Sequence, residues 1–307
     1  LYVVFGFTRS RLGAPTPLED HLGRVYCGQY LLPYQRHGRP EHDTDFDSVV
    51  VALDGSALAE HALPVAQLLS KAFGSTVRLI SLGDSPALGA PELTAYLENM
   101  AWQMNHAGVP AAIGDGSNPS LMTVEHVSNL GQASLIILAA QARPLLDRWF
   151  HPGPGQMVRR TASPLLLLRP TDGWRSRTTQ FQRLLVCLDG SETAEQVLRY
   201  ARTLGNRFQS ELLLLAVPEA EAEAARLRDY LGSVAEALRG RGLNARVLVT
   251  GSGAARTVVE VAGSEQVDLI LIASSGRGGA SRRSGIGTVA DEMMETTPCP
   301  LLVIPVQ

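Results

Sequence analysis

A long internal repeat is the feature that most restricts the fold of this chain. Residues 46–82 align without gaps on residues 181–217 at an offset of 135, and 14 of the 37 aligned positions are identical. Two shorter blocks repeat at offsets of 134 and 136, namely residues 134–143 with 268–277 and residues 163–168 with 299–304. The sequence therefore predicts two copies of one domain that differ in length between these two shorter blocks.

Each copy alternates predicted strands with predicted helices. It begins with an unbroken apolar run, at residues 49–53 or 184–188, which is typical of a strand buried on both faces of a parallel sheet. Apolar residues at three- and four-residue steps then predict a helix over about 58–73 or 194–208. Further strands are predicted at 77–82 and 212–217, at 245–250 in the second copy with a short counterpart in the first, at 134–139 and 267–272, and at 165–168 and 301–306. Further helices are predicted at about 91–106 and 220–239, at 119–129 and 254–264, and before each last strand. This alternation predicts an α/β fold with a parallel sheet covered by helices on both faces.

Two features of each copy fall at the edge of the sheet where ligands of such folds bind, beyond the carboxyl ends of the strands. Asp54 and Asp189 follow the first strand in the sequence LDGS, and Ser56 and Ser191 are placed to cap the next helix. The second feature follows the fourth strand. We therefore expect one cleft in each copy.

In the second copy the fourth strand is followed by SSGRGGASRRSGIGTVADEM, residues 274–293. It matches neither GxxxxGK[ST] nor GxGxxG, but it combines exposed backbone amides, positive charge and a helix N-terminus, all of which suit a phosphate. The residues concerned are Gly276, Gly278, Gly279, Gly287, Thr288, Arg277, Arg282 and Arg283.

These motifs resemble those of a tandem universal stress protein. The resemblance covers about residues 46–307 and rests on LDGS, on GRGGASRR after the fourth strand, and on GTVAD followed by PCPLLV. It implies two tandem Rossmann-like, adenine-nucleotide alpha-hydrolase-like domains, each a five-stranded parallel sheet with helices on both faces. The predicted division is an N-terminal extension at 1–44, a first domain at 45–170, a linker at 171–180 and a second domain at 181–307.

The resemblance also implies a ligand, ATP with or without Mg²⁺, in the second copy. The family's nucleotide signature is G-x2-G-x9-G-[ST]; here Ala273 stands in place of the first glycine, and the spacer before Gly287 is one residue longer. By resemblance, Leu188 and Asp189 meet the adenine and ribose, and Val217 lines the adenine pocket. Gly276, Gly287, Thr288 and Val289 would wrap the phosphates, and Ala273, Arg277, Gly278 and Gly279 complete the predicted site.

Structural roles compete with these assignments. Asp189 can serve only as a turn residue that caps the next helix, the glycine-arginine segment can be a surface connection, and its arginines can be solvated. In the first copy, Ala142, Pro144 and Leu145 stand where the second copy has glycines. Because proline lacks an amide hydrogen, we expect the first copy to bind nucleotide weakly or not at all.

Three functional hypotheses remain open. The first is an ATP-binding stress-response regulatory or signalling protein whose domains form an intramolecular pseudo-dimer through their last strands. Further homodimerisation and unidentified protein partners are left open. The second is an interaction scaffold without nucleotide, and the third is an enzyme of the adenine-nucleotide alpha-hydrolase-like group. No catalytic constellation stands out, so we expect slow ATP hydrolysis at most.

Composition limits the partners and the compartment. The net charge of −3 and pI near 6.2 give no overall attraction for nucleic acid or anionic membranes. The three cysteines have no CxxC spacing, which argues against a disulfide framework or a metal site, and no apolar run approaches membrane-spanning length. The first residues, LYVVFGFTRS, lack the pattern of a signal peptide. We expect a cytoplasmic protein, in which residues 1–44 either have no fold of their own or cover the first copy.

Overall fold

The computed structural model describes seven segments of the chain, all within one compact unit that spans residues 36–307. The predicted extension at 1–44, linker at 171–180, helix at 119–129 and glycine-poor first-copy segment lie outside the described residues. No helix in the described part of the chain is long and apolar enough to cross a membrane. The described segments are 46–81, 90–114, 135–139, 163–169, 181–276, 287–297 and 299–306.

The first half, residues 46–169, follows the predicted order of elements. Its first predicted helix is divided, because a 3₁₀ turn at Ala59–His61 precedes the α-helix. The elements are β1 (Ser48–Leu53), α1 (Ala62–Phe73), β2 (Thr76–Ser81), α2 (Ala90–His106), β3 (Ala111–Ile113), β4 (Leu135–Ala139) and β5 (Leu165–Leu168).

The second half, residues 181–306, repeats this order. Its first helix is also divided, into a short and a long piece, and its last strand ends at Ile304, two residues before the predicted end. The elements are β6 (Arg183–Cys187), α3 (Glu192–Glu195), α4 (Val197–Phe208), β7 (Glu211–Ala216), α5 (Glu221–Arg239), β8 (Asn244–Val249), α6 (Ala254–Ser264), β9 (Leu269–Ala273), α7 (Thr288–Thr296) and β10 (Leu301–Ile304).

The strands form one ten-stranded sheet in the order β3-β2-β1-β4-β5-β10-β9-β6-β7-β8. Pairing is parallel within each half. Where the halves meet, β5 and β10 pair antiparallel, with Leu301 opposite Leu167 and Val303 opposite Leu165. The last strands of the two halves therefore pair with each other, as the sequence predicts, and the predicted α/β class with a largely parallel sheet is confirmed.

The apolar runs of the sequence are the buried strands of this sheet. Val49, Val50 and Val51 in β1 are all 0% exposed. Because successive residues of a strand point to opposite faces, burial of consecutive residues means that both faces of β1 are covered. This is why the run carries no alternation of apolar and polar residues.

The two halves also repeat individual hydrogen bonds. In each half a serine hydroxyl before the second strand donates to the carbonyl of the phenylalanine before the first strand, and a tyrosine hydroxyl donates to a glutamate. The pairs are Ser75 with Phe46 and Tyr96 with Glu60 (3.1 Å), and Ser210 with Phe181 (2.5 Å) and Tyr230 with Glu195 (3.0 Å). The duplication seen in the sequence is thus also present in the side-chain contacts.

An aromatic cluster joins the two halves. Phe46 packs edge-on against Phe73 at 5.0 Å between ring centroids, and Phe181 packs in the same way against Phe208 at 5.4 Å. Two further contacts cross between the halves, Phe73 with Phe208 at 6.0 Å and Phe46 with Tyr200 at 6.2 Å. Edge-to-face aromatic pairs at these distances stabilise beyond the area they bury.

One buried hydroxyl in α4 predicts a stabilising substitution. Thr203 in α4 is 5% exposed, and its hydroxyl has no hydrogen-bond partner among the described residues. Valine has nearly the same shape without the desolvated hydroxyl, so Thr203→Val is expected to raise the free energy of unfolding by about 1 kcal/mol. Urea denaturation tests this, and a loss of stability in the variant would mean that the hydroxyl has a partner.

Candidate functional site

A cavity of about 530 Å³ lies in the second half, beyond the carboxyl ends of its parallel strands. Its volume is typical of small-molecule sites, which range from roughly 300 to 1,000 Å³. The lining comes from the segments that follow β6, β7, β8 and β9 and from the first turn of α7. Because these four strands run parallel, their carboxyl ends bring the four segments that follow them to the same edge of the sheet, where the first turn of α7 joins them. We call this the second-half cavity.

Asp189 holds the turn that follows β6. Its Oδ1 accepts hydrogen bonds from the Ser191 backbone N–H at 2.9 Å and from the Ser191 hydroxyl at 2.6 Å. Ser191 in turn caps α3, because its Oγ accepts from the Ala194 N–H at 3.2 Å. Gly190 between them has φ 79°, which glycine adopts without a steric penalty. The capping role predicted for Ser191 is confirmed, and Asp189 orients the capping hydroxyl by accepting its hydrogen bond.

The same turn is present in the first half. The Asp54 Oδ1 accepts from the Ser56 backbone N–H at 2.9 Å and from the Ser56 hydroxyl at 2.6 Å, and the Ser56 Oγ accepts from the Ala59 N–H at 3.2 Å. The LDGS motif therefore encodes a local structure that forms in both halves. Its presence alone does not distinguish a binding cleft from a structural turn.

Asp189 also contacts the segment after β9. A Cβ built on Gly276 would collide with the Asp189 Oδ2 and lie 3.2 Å from its Cγ. Any other residue at position 276 would therefore have to displace the Asp189 carboxylate opposite it. The first half has Ala142 at the aligned position, which lies outside the described residues.

The N-terminus of α7 faces the cavity, and its hydrogen bonds limit which amides are available to a ligand. Gly287 precedes the helix in an extended conformation, without a side-chain cap. Its N–H donates to the Ser274 carbonyl at 2.7 Å, so this amide is already used. Thr288 and Val289 follow in the first turn, where backbone N–H groups have no partner within the helix. The Gly287 N–H is therefore not available for the phosphate contact that the sequence predicts at this residue.

A second helix N-terminus reaches the same cavity and was not predicted. Ser252, Gly253 and Ala254 line it where β8 gives way to α6, and Gly253 precedes that helix with φ 79°. The signal in the sequence is the pair of glycines in TGSGAA, directly after the predicted third strand. The dipoles of these two helices favour negative charge near their N-termini, although the Asp189 and Glu219 carboxylates also line the cavity.

Part of the cavity lining is apolar. Leu188, Val217 and Ile272 line it, as does Cys187, the last residue of β6. Burial raises the pKa of the Cys187 thiol to about 12, and Cys299 contributes in the same direction. The thiol is therefore neutral and acts as one more apolar surface. A flat aromatic group fits such a lining.

A hydrogen bond joins α5 to α3, the short helix that follows the Asp189 turn. The Tyr230 hydroxyl donates to the Glu195 Oε1 at 3.0 Å, and Tyr230 and Leu227 lie against Gly190. Burial raises the pKa of Glu195, the Tyr230 hydrogen bond opposes that shift, and the nearby Glu192 adds to it. Glu195 thus supports the turn and does not line the cavity.

The structure brings together most of the residues that the sequence singled out. Arg277, Gly278 and Gly279 lie outside the described residues. Residues that the sequence did not single out include Cys187, Glu219, Ser252, Gly253, Ala254 and Ile272. The predicted residues that line the cavity are Leu188, Asp189, Val217, Ala273, Gly276, Gly287, Thr288 and Val289.

Comparison with known proteins finds a family match over the second half. Residues 180–305 match the model of the universal stress protein family. The cavity and both helix N-termini lie within the residues that match this model. No curated protein matches the chain.

Solved structures extend the likeness in fold beyond this domain. A universal stress protein from Archaeoglobus fulgidus DSM 4304 superposes with a TM-score of 0.67 at 17% identity, covering 86% of this chain and 97% of that chain. A protein from Pseudomonas aeruginosa UCBPP-PA14 gives 0.62 at 16% identity, covering 85% and 94%. A functionally unknown protein from Pseudomonas aeruginosa PAO1 gives 0.61 at 16% identity, covering 85% and 93%. The shared fold thus includes much of the first half as well.

Proposed function

We propose that the chain is a tandem universal stress protein whose second half binds ATP and whose role is regulatory, with slow ATP hydrolysis at most. One observation carries the proposal: the Asp189 carboxylate, an apolar wall and two helix N-termini surround a single cavity of about 530 Å³. The two halves act as an intramolecular pseudo-dimer joined through β5 and β10. We place the protein in the cytoplasm, where ATP is available.

The chemistry of the cavity fits the three parts of ATP. Adenine needs an apolar slot, which Leu188, Val217 and Ile272 supply. Ribose hydroxyls need an acceptor, and the Asp189 carboxylate supplies one. A carboxylate accepts several hydrogen bonds, so holding Ser191 and binding ribose are compatible roles for Asp189.

The triphosphate is assigned to the side of the cavity with the helix N-termini. The amides of Thr288 and Val289 in α7 supply donors, and the dipoles of α6 and α7 favour negative charge there. Gly276 allows backbone to approach closely where a side chain would not fit. Arg277, Gly278 and Gly279 are proposed as further phosphate contacts on the basis of the sequence motif alone.

Calorimetric titration of nucleotide-stripped protein with Mg-ATP tests the proposal, and we expect micromolar binding at one site per chain. Gly287→Asp should abolish this binding, because it places a negative charge beside the phosphate position. Asp and Asn are both favourable at the residue that caps a helix, so neither substitution should disrupt α7. Gly287→Asn is therefore the matched control, with nearly the same shape and no charge.

Comparing the ATP affinities of the Asp and Asn variants separates the effect of the added charge from the effect of the added side-chain volume. We expect the Asn variant to bind at least about tenfold more tightly than the Asp variant, since like charges oppose each other in a partly enclosed site. Equal affinity of the two variants would contradict the phosphate placement. No heat with the wild type would reject ATP binding and favour an interaction scaffold.

A further inference from the structure

Ser274 lies at a junction between the second-half cavity and the last strand of the sheet. It follows β9 directly and is 4% exposed. Its N–H donates to the Ile304 carbonyl at 2.7 Å, its carbonyl accepts from the Gly287 N–H at 2.7 Å, and its hydroxyl accepts from the Val306 N–H at 3.0 Å. All three of its polar groups are thus used, each toward a different residue.

These bonds connect two structural regions that are far apart in the sequence. Through Gly287, Ser274 fixes the start of α7 relative to Ser275 and Gly276, which line the cavity. Through Ile304 and Val306, it fixes the segment at the end of β10. β10 is the strand that pairs with β5 of the first half.

The backbone bonds of Ser274 could form with any residue at this position, but the bond to Val306 needs a hydroxyl. The first half has Ala140 at the aligned position, so its side chain cannot make an equivalent bond. The hydroxyl is therefore a feature of the second half, where the cavity is described.

We infer that Ser274 is a positioning residue that couples nucleotide binding in the second-half cavity to the segment that follows β10. The inference rests on the proposed function. A nucleotide would contact both Gly276 and the first turn of α7, so it binds more tightly when Ser274 holds these two segments in register. By linkage, the bound nucleotide then stabilises the bond between Ser274 and Val306 to the same degree.

The first test uses ligand-free protein and amide hydrogen exchange measured by NMR. Ser274→Ala removes the hydroxyl but keeps the carbonyl that binds Gly287. If the junction acts as one unit, exchange accelerates at both Val306 and Gly287. If only Val306 accelerates, the two segments are independent and the inference is overturned. Ser264→Ala, an exposed serine in α6 whose hydroxyl bonds only locally to Val261, is the matched control and should leave both rates unchanged.

The second test adds Mg-ATP. We expect ATP to slow exchange at Val306 in the wild type but not in Ser274→Ala, and the variant to bind ATP about five- to thirtyfold more weakly. Ser274→Thr keeps the hydroxyl and should recover most of the affinity, a rescue that a general loss of packing would not give. If the wild type binds ATP and Ser274→Ala binds it equally well, the inference is overturned and the proposed function stands. If the wild type binds no ATP, the proposed function fails, and with it the coupling to nucleotide.

Discussion

Gly276→Ala is expected to weaken ATP binding by at least about a hundredfold. The added Cβ collides with the Asp189 carboxylate, which cannot retreat freely because Ser191 holds it with two hydrogen bonds. Either Asp189 moves away from the ribose position, or the segment after β9 moves away from the phosphates. A charge-assisted hydrogen bond contributes about 1.5–3 kcal/mol, so losing the Asp189 contact and disturbing the phosphate side together account for a loss of this size.

A second glycine provides the control for this substitution. Gly232 lies within α5, and a Cβ added there meets nothing within 4 Å. Gly232→Ala should leave ATP affinity unchanged and raise the free energy of unfolding by about 0.5–1 kcal/mol, because alanine loses less backbone entropy in a helix than glycine does. Calorimetry with Mg-ATP and urea denaturation of both variants provide the two measurements.

A double-mutant cycle identifies the cause of any stability loss in Gly276→Ala. If the loss comes from the collision with the carboxylate, it should largely disappear when Asp189 is also changed to alanine. An equal loss in both backgrounds would mean that the collision is not the cause. Retention of wild-type affinity by Gly276→Ala would remove Asp189 and Gly276 from the proposed site.

The sequence predicted the fold well because its signals are local and occur twice. The strand at 49–53 was recognisable from an unbroken apolar run, and β1 buries both of its faces. The helix over about 194–208 is predicted from its periodicity, and α4 covers Val197–Phe208. The candidate site is also predicted from a local pattern. A glycine-rich segment that directly follows a buried strand begins at the edge of a parallel sheet where ligands of such folds bind.

What the sequence did not predict depends on contacts between distant segments. Nothing near Gly287 indicates that its N–H donates to Ser274, because that bond depends on how the fold places the start of α7 next to the residue that follows β9. The requirement for glycine at 276 follows from Asp189, which is 87 positions earlier in the chain. The contribution of Ser252 and Gly253 to the cavity had a signal, the glycine pair after β8, but only the sheet order shows that this turn reaches the same cavity.

Phe46→Ala is expected to lower the free energy of unfolding by about 3–5 kcal/mol, the usual cost of truncating a buried phenylalanine. Phe46 is 1% exposed and contacts Phe73 of its own half and Tyr200 of the other. A domain is stable by only about 5–15 kcal/mol in total, so this loss is a large share. Urea denaturation followed by far-ultraviolet circular dichroism measures it, because this signal comes from the backbone and is retained when a tryptophan is replaced. Trp102→Ala is the control, because Trp102 is a large aromatic residue that is 57% exposed, and its loss should change stability by no more than about 0.5 kcal/mol.

The form of the unfolding transition tests whether the aromatic cluster joins the two halves. With the cluster intact, the sheet that runs through both halves should unfold in one transition. Phe46→Ala removes the contact with Tyr200 directly and weakens the support of Phe73, which contacts Phe208 and Arg207 of the second half. We therefore expect the variant to unfold in two steps, with the first half losing its structure first. One cooperative transition with a loss close to that of Trp102→Ala would show that the contacts of Phe46 are not needed to hold the halves together.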